Sequence, residues 1–141
     1  MNKRVENVKE KERKMMEDYG YFVHLVYETE AKEMGGLCNV HTHGLEESFG
    51  HKDLQIILPL PPQQNHGLIN SIVQQIINDK RTFEPNVEQE KVLVGEFKVM
   101  FKEFQEGGRT VLRLLLPDPK GYLPTDDKCD DMYKRQLEEI E

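Results

Sequence analysis

The amino-acid sequence predicts a single α+β domain, with a mainly antiparallel sheet of about five strands and one main amphipathic helix packed on one face. Two observations support this prediction. Short runs rich in β-branched and aromatic residues are separated by glycine and proline turns, which is typical of strands. One longer segment repeats adjacent apolar pairs every four residues, the period of a helix buried along one side.

The chain divides into three segments by composition. A charged, helix-forming N-terminal arm leads, a mixed apolar and polar domain follows, and an acidic, helix-forming C-terminal tail comes last. The predicted boundaries are residues 1–20, 21–123 and 124–141. A chain of 141 residues is long enough to bury one core without disulfide or metal staples.

The elements of the central domain are bounded by turn residues. The main helix is predicted over residues 62–79, because Pro61 or Pro62 suits a first helical position. Its apolar stripe consists of Leu68, Ile69, Ile72, Val73, Ile76 and Ile77. Three strands are predicted over residues 21–27, 37–43 and 53–58, and a hairpin over residues 97–116. The polar segments at residues 28–36 and 44–52 are predicted as loops.

Charge and composition argue against several classes of partner. The net charge is -7 and no basic stripe is present, so binding to nucleic acid is not expected. No apolar run approaches the ~20 residues of a membrane span, and the charged start is unlike a secretory signal. Cys38 and Cys129 form no CxxC pair, which favours free thiols in a reducing cytoplasm. Composition leaves the oligomeric state open.

The histidines at the end of the second predicted strand form the sharpest candidate site. Strand period two places His41 and His43 on one face and Thr42 on the other. Glu47 and His51 follow in the next loop. We predict these two histidines, Glu47 and His51 as ligands of Zn²⁺, Fe²⁺ or Mn²⁺. If the protein is an enzyme, Glu47 is the predicted general base.

Known metal motifs match this cluster only in part. The opening half of the cupin motif is matched by Gly35, His41, His43 and Glu47. Its closing glycine would fall at Leu54, however, and its second half is absent. His24, alone in the first strand, is interpreted as a half-buried residue and not as a ligand. A purely structural role, in which the side chains of the cluster only build and solvate the turn, stays open.

Four short motifs lie along most of residues 21–123. They are Thr-x-Gly-Leu at 42–45, Gly-His-x-Asp-Leu at 50–54, Phe-Glu-Pro at 83–85 and Val-Leu-x-Leu-x-x-Pro-Asp-x-x-Gly at 111–121. With these motifs the chain resembles the bacterial and phage domain-of-unknown-function family 4262. The motif positions of most interest are Thr42, Gly44, Leu45, His51, Pro117, Asp118 and Gly121. The resemblance implies a fold more than a function, since the family has no established activity.

A second, weaker similarity concerns the order of the elements. The order of strand, turn, apolar strand, proline-flanked helix and late leucine-rich strand is similar to that of the Suppressor-of-fused domain. Bacterial versions of that domain resemble immunity proteins that bind toxins. This is an analogy of pattern, and a shared fold does not establish a shared function.

Three functions stay open at the level of sequence. The favoured one is a non-catalytic, cytoplasmic protein-binding module of the immunity or defence type, because no complete catalytic constellation is present. Its acidic surface suits a basic partner. The second is a small metal-dependent enzyme built on the histidine cluster. The third, a flavin- or nucleotide-binding barrel, has no motif in its support.

Overall fold

The computed structural model describes residues 3–26, 38–58, 62–93, 97–106 and 108–138. Several predictions concern positions outside these ranges. They are the predictions for residues 1–2, Tyr27, the loop at 28–36, Leu37, Gly107 and the last three residues. Gly35, which matched part of the cupin motif, also lies outside the described residues.

Six strands and four α-helices are present in the described parts of the chain. The strands are β1 (Phe22–Val26), β2 (Cys38–His43), β3 (Leu54–Leu58), β4 (Glu88–Gln89), β5 (Val99–Glu106) and β6 (Arg109–Leu115). The helices are α1 (Lys3–Tyr19), α2 (Leu45–Phe49), α3 (Pro62–Asn78) and α4 (Asp131–Lys134). A short 3₁₀ helix, Arg135–Leu137, follows α4. The predicted α+β class is confirmed.

The six strands form one mixed sheet in the order β1-β2-β3-β6-β5-β4. Neighbouring strands run antiparallel, except that β3 and β6 are parallel, with Leu54 beside Leu112. The prediction of about five mainly antiparallel strands therefore needs two corrections, one parallel pairing and a sixth strand. The parallel pairing arises because the long crossover that contains α3 separates the two strands. The sixth strand, β4, has two residues, too few to show a sequence period.

The helix α3 covers one face of the sheet. It begins at Pro62, as predicted, and ends one residue before the predicted end. Its buried stripe consists of Ile69, Ile72, Val73 and Ile76. The sheet residues in the same core cluster include Val40, Leu54, Ile56, Leu112 and Leu114. Burying each such side chain contributes ~1.5–3 kcal/mol, and the main apolar cluster of the described residues therefore lies between α3 and the sheet.

The segment between β2 and β3, predicted as a loop, contains the short helix α2. Gly44 and Gly50 flank this helix with φ angles of 101° and 71°, which L-residues with a side chain rarely adopt. A Cβ on Gly44 would lie 2.6 Å from the Met16 sulfur and 2.7 Å from the Gly20 carbonyl oxygen. Glycine is therefore required at position 44 for the C-terminal end of α1 to approach this turn.

The C-terminal segment packs against the sheet. Of the predicted acidic tail, residues 124–130 form turns and residues 131–137 are helical. Cys129 is buried as a free thiol, and Gln136 is fully buried. The Gln136 side chain accepts a hydrogen bond from Leu116 N at 2.8 Å and donates one to Leu116 O at 2.9 Å. These two bonds extend the end of β6 with a side chain in place of another strand.

Candidate metal centre

The sheet face opposite α3 carries polar side chains. Directly paired residues of neighbouring strands point to the same face. His24 of β1 pairs with His41 of β2, which in turn pairs with Gln55 of β3. Alternation along β2 adds Asn39 and His43 to this face, which we call the polar face. Thr42 is on the other face, as predicted, and that face is the one covered by α3.

Three imidazoles meet on the polar face, those of His24, His41 and His43. One ring nitrogen of each lies within 4.8 Å of the corresponding atoms of the other two. The rings of His24 and His43 each have their centroid 4.9 Å from that of His41, at an interplanar angle of 76°. With small side-chain rotations, three nitrogens at this spacing can converge on one metal ion at the usual ~2.0–2.1 Å.

The cluster runs from the protein interior to solvent. His41 is 4% exposed, His43 is half-buried and His24 is exposed. The Phe22 ring stacks on His43, with centroids 5.0 Å apart and an interplanar angle of 23°. An ion held by these three residues would therefore be anchored on a rigid, buried ligand and open to water at the His24 edge.

Burial and nearby charges keep the inner imidazoles neutral. Burial, followed by the charges of His43, His24 and Arg109, lowers the pKa of His41 to about 3. Burial, and next the charge of Arg109, also lowers the pKa of His43. Burial raises the pKa of the Glu106 carboxyl, against the opposing effect of Arg109. Neutral imidazole is the form that binds metal, so both inner histidines have a free lone pair at neutral pH.

The structure brings together only two of the four predicted ligands, His41 and His43. His51 is buried and engaged elsewhere: its Nδ1 donates to Lys52 O at 2.8 Å, and its Nε2 accepts from Phe83 N at 3.1 Å. Both nitrogens of His51 therefore have structural partners. Glu47 is exposed on α2, and the described histidine cluster does not include it.

His24 completes the cluster, although the strand pattern alone predicts no ligand at this position. It is exposed and not half-buried. The signal that identifies it is the register of β1 against β2, in which His24 is the direct partner of His41. Register is a property of the pair of strands, so neither strand alone could have disclosed it.

The Thr-x-Gly-Leu motif builds a buried clamp on the α3 side of the sheet. The Thr42 hydroxyl donates to Asp53 Oδ1 at 2.7 Å and accepts from Leu54 N at 2.9 Å. Leu45 N donates to the same Asp53 oxygen at 3.0 Å. Arg109 lies 3.2 Å from the second oxygen of this carboxylate. The clamp fixes the end of β2 against the start of β3.

The late Pro-Asp-x-x-Gly motif also builds a turn. Asp118 is buried, and its Oδ1 accepts from Lys120 N at 3.0 Å and from Tyr122 N at 2.9 Å. Its Oδ2 accepts from Asp130 N at 2.9 Å, which ties the turn to the start of α4. Gly121 has a φ of 92°, a conformation that favours glycine. Asp118 and Gly121 therefore have a structural role here, and Pro117 lies buried directly before them.

A family model described as a domain of unknown function, DUF4262, matches residues 15–130. This span contains all six strands and the three clustered histidines. Neither a curated protein nor a solved structure matches the chain. The similarity to Suppressor-of-fused domains stays a prediction. Among the described residues, none of the helices has the length and apolar content that crossing a membrane requires.

Proposed function

The chain belongs to the DUF4262 family of domains of unknown function, and we propose that it is a metalloprotein that binds one divalent transition-metal ion at His24, His41 and His43. The observation that carries this proposal is the approach of one nitrogen from each ring to within 4.8 Å of the other two. The lowered pKa values of His41 and His43 support it, because both rings are then neutral and able to bind a cation.

The ligand set favours Zn²⁺ or Fe²⁺ over Mn²⁺. Imidazole nitrogens suit zinc and iron, whereas manganese prefers oxygen ligands. Three protein ligands leave at least one coordination position for water, which is the arrangement of catalytic zinc sites. A metal-bound water at the exposed His24 edge would have a pKa lowered towards ~7 and could attack a polar substrate. Glu47, on the exposed side of α2, has no part in this proposal.

The test is metal binding by the untagged protein. We expect elemental analysis to find about one zinc or iron per chain, and calorimetry of the stripped protein to show tighter binding of Zn²⁺ than of Mn²⁺. His24→Ala should weaken Zn²⁺ binding by at least about tenfold, and its fold should persist because His24 is exposed. His66→Ala is the matched control, since His66 is exposed on α3 outside the cluster and should bind Zn²⁺ like wild type.

Two results would overturn this proposal. One is a wild-type protein that stays free of metal after incubation with Zn²⁺ and Fe²⁺ in turn. The other is equal Zn²⁺ affinity of the His24→Ala and His66→Ala variants, which would place any bound metal elsewhere on the chain.

An apolar groove supports a second proposal, that the chain is a protein-binding module of the immunity or defence type. The groove has a volume of about 580 Å³ and runs along α3 past Leu68, Leu93 and Phe97. A neighbouring hollow shares Leu93 and Phe97 and reaches the turn at Pro117. Phe97 is 46% exposed. Exposed apolar surface of this kind marks interaction sites, and the net charge of -7 suits a basic partner.

This second proposal includes a cytoplasmic location, which the free, buried thiol of Cys129 supports. Its test is affinity capture followed by mass spectrometry with three proteins, the wild type, Phe97→Ser and Phe49→Ser. Phe49 is 40% exposed on α2, outside the groove, and serves as the control. We expect Phe97→Ser alone to lose a basic protein that wild type retains. Identical captured proteins for all three would exclude the groove as the binding surface.

A further inference from the structure

We propose that Glu106 is the positioning residue of the metal centre, because its carboxylate holds the Nδ1 proton of His41 and so directs Nε2 towards the ion. The inference rests on the proposed metal-binding function. It adds a residue that belongs neither to the predicted ligands nor to the histidine cluster, and it specifies which nitrogen of His41 binds.

The oxygen atoms next to Nδ1 of His41 determine its tautomer. Its Nδ1 lies 3.0 Å from Glu106 Oε1 and 3.2 Å from Asn39 Oδ1. Carboxylate and amide oxygens only accept hydrogen bonds, so Nδ1 must carry the proton. A neutral imidazole has a single ring proton, and therefore the lone pair of His41 is on Nε2. The opposite tautomer would place a lone pair against two oxygen atoms.

Neighbouring residues determine the orientations of the Gln55 and Asn39 side-chain amides. Arg113 Nε donates to Gln55 Oε1 at 2.8 Å, so the oxygen of the Gln55 amide faces the guanidinium. Gln55 Nε2 then donates to Glu106 Oε2 at 3.3 Å and to Asn39 Oδ1 at 3.4 Å. Since Gln55 donates to Asn39 at this atom, the Asn39 oxygen must face both Gln55 and His41.

Arg113 anchors the whole network. It is fully buried, and its guanidinium lies over the Phe104 ring at 3.5 Å from the centroid. It also donates to the carbonyl oxygens of Gln136, at 2.7 Å, and Glu138. The aromatic ring and the two carbonyl oxygens leave the guanidinium few alternative positions. The side chains of Gln55 and Glu106, which belong to the same network, therefore have a defined geometry.

A carboxylate behind a metal-binding imidazole has two physical effects. It fixes the ring orientation before the ion arrives, which reduces the entropy lost on binding, and it makes the opposite nitrogen a stronger donor to the metal. Glu106 is 14% exposed, so its interaction with His41 is only partly screened by water. In proteins, loss of such a partner lowers metal affinity by about 10–100-fold.

The test uses Glu106→Ala, with Glu103→Ala as the matched control from an exposed position on the same strand. In the metal-free wild type at neutral pH, two-bond ¹H–¹⁵N correlation spectra should show His41 as the Nδ1–H tautomer. We expect Glu106→Ala to give a mixture of tautomers and about 10–100-fold weaker Zn²⁺ binding. Glu103→Ala should match wild type in both measurements. A residue needed only for folding would change stability without shifting the tautomer.

The outcomes separate this inference from the metal proposal. If wild type binds no metal, the metal proposal fails and the inference fails with it, even where the tautomer is as expected. If wild type binds Zn²⁺ and Glu106→Ala binds it equally well with an unchanged tautomer, the inference alone is wrong. Should the alanine variant fail to fold, Glu106→Gln keeps the side-chain size. Its amide has one oxygen for two donors, so equal Zn²⁺ affinity and an unchanged tautomer would again overturn the inference.

Discussion

Replacing Thr42 with valine tests the buried clamp between β2 and β3. The change removes a hydroxyl and nearly keeps the shape of the side chain. Thr42 is fully buried, and its hydroxyl is bonded to the Asp53 carboxylate at 2.7 Å and to Leu54 N at 2.9 Å. Both partners are themselves buried, so water cannot replace the lost hydroxyl without opening the turn.

The expected loss of stability follows from these two bonds. Leaving a buried donor or acceptor without its partner costs ~1–3 kcal/mol. The Asp53 carboxylate keeps Leu45 N and Arg109 as partners, so its contribution to the loss of stability lies at the lower end of this range. Leu54 N loses the acceptor that the Thr42 hydroxyl provides. We therefore expect Thr42→Val to lower the free energy of unfolding by ~2–4 kcal/mol, or a Tm by ~6–12 °C for a chain of this length.

Urea unfolding followed by circular dichroism measures this difference, and Thr110→Val provides the control. The Thr110 hydroxyl accepts from Gln105 Nε2 at 2.8 Å in an exposed pair, so its loss should cost no more than ~0.5 kcal/mol. The slope of the free energy against urea should be unchanged in both variants. If Thr42→Val is no less stable than Thr110→Val, the clamp does not hold the turn and the reasoning is refuted.

Three further predictions concern stability. In the metal-free wild type, His41 should contribute a loss of up to about 1.4 kcal/mol in the free energy of unfolding per pH unit between pH 6.5 and 3, because it takes up a proton in the unfolded chain well above its folded pKa of about 3. Urea unfolding at a series of pH values should show a shallower pH dependence for His41→Gln than for wild type, and equal slopes would contradict the assigned shift. In urea unfolding, Gly44→Ala should lower the free energy of unfolding by ~2–4 kcal/mol and Gly108→Ala by ~1 kcal/mol. Gly108 has a φ of 81°, but the space around it is open. Gln136→Leu should cost ~2–4 kcal/mol by stranding both backbone groups of Leu116, and a loss below ~1 kcal/mol in thermal unfolding would show that water replaces the side chain.

Much of the fold could be predicted because its signals are local. The stripe of α3 repeats over several turns, so single exceptions do not hide it. The start of β5 alternates, and β6 is a nearly continuous apolar run that is buried over its last five residues. The parallel pairing of β3 with β6 could not be predicted this way, because it depends on how a crossover of about 50 residues packs. The helix α2 was missed because five residues contain little more than one helical turn.

The candidate site could be predicted only in part, because only some of its contacts have a local signal in the sequence. Alternation within β2 placed His41 and His43 together, and both lie in the cluster. His51 was predicted as a ligand because it is near them in sequence, but its ring accepts the backbone N–H of Phe83, 32 residues away. Glu106, 65 positions after His41, reaches the cluster only through the pairing of β5, β6 and β3. Contacts that depend on strand order have no local signal in the sequence.

Thr42 and His41 are neighbours in β2 that serve opposite faces, and this links the clamp to the metal centre. A shift of β2 by one residue would exchange the two faces and carry the imidazoles into the core. By binding both Asp53 and Leu54, the Thr42 hydroxyl holds the register in which His41 pairs with Gln55. Thr42→Val should therefore weaken Zn²⁺ binding although the Thr42 side chain lies on the face opposite the three histidines, whereas Thr42→Ser, which keeps the hydroxyl, should retain it. If calorimetry gives Thr42→Val the affinity of wild type, the strands keep their register without the clamp.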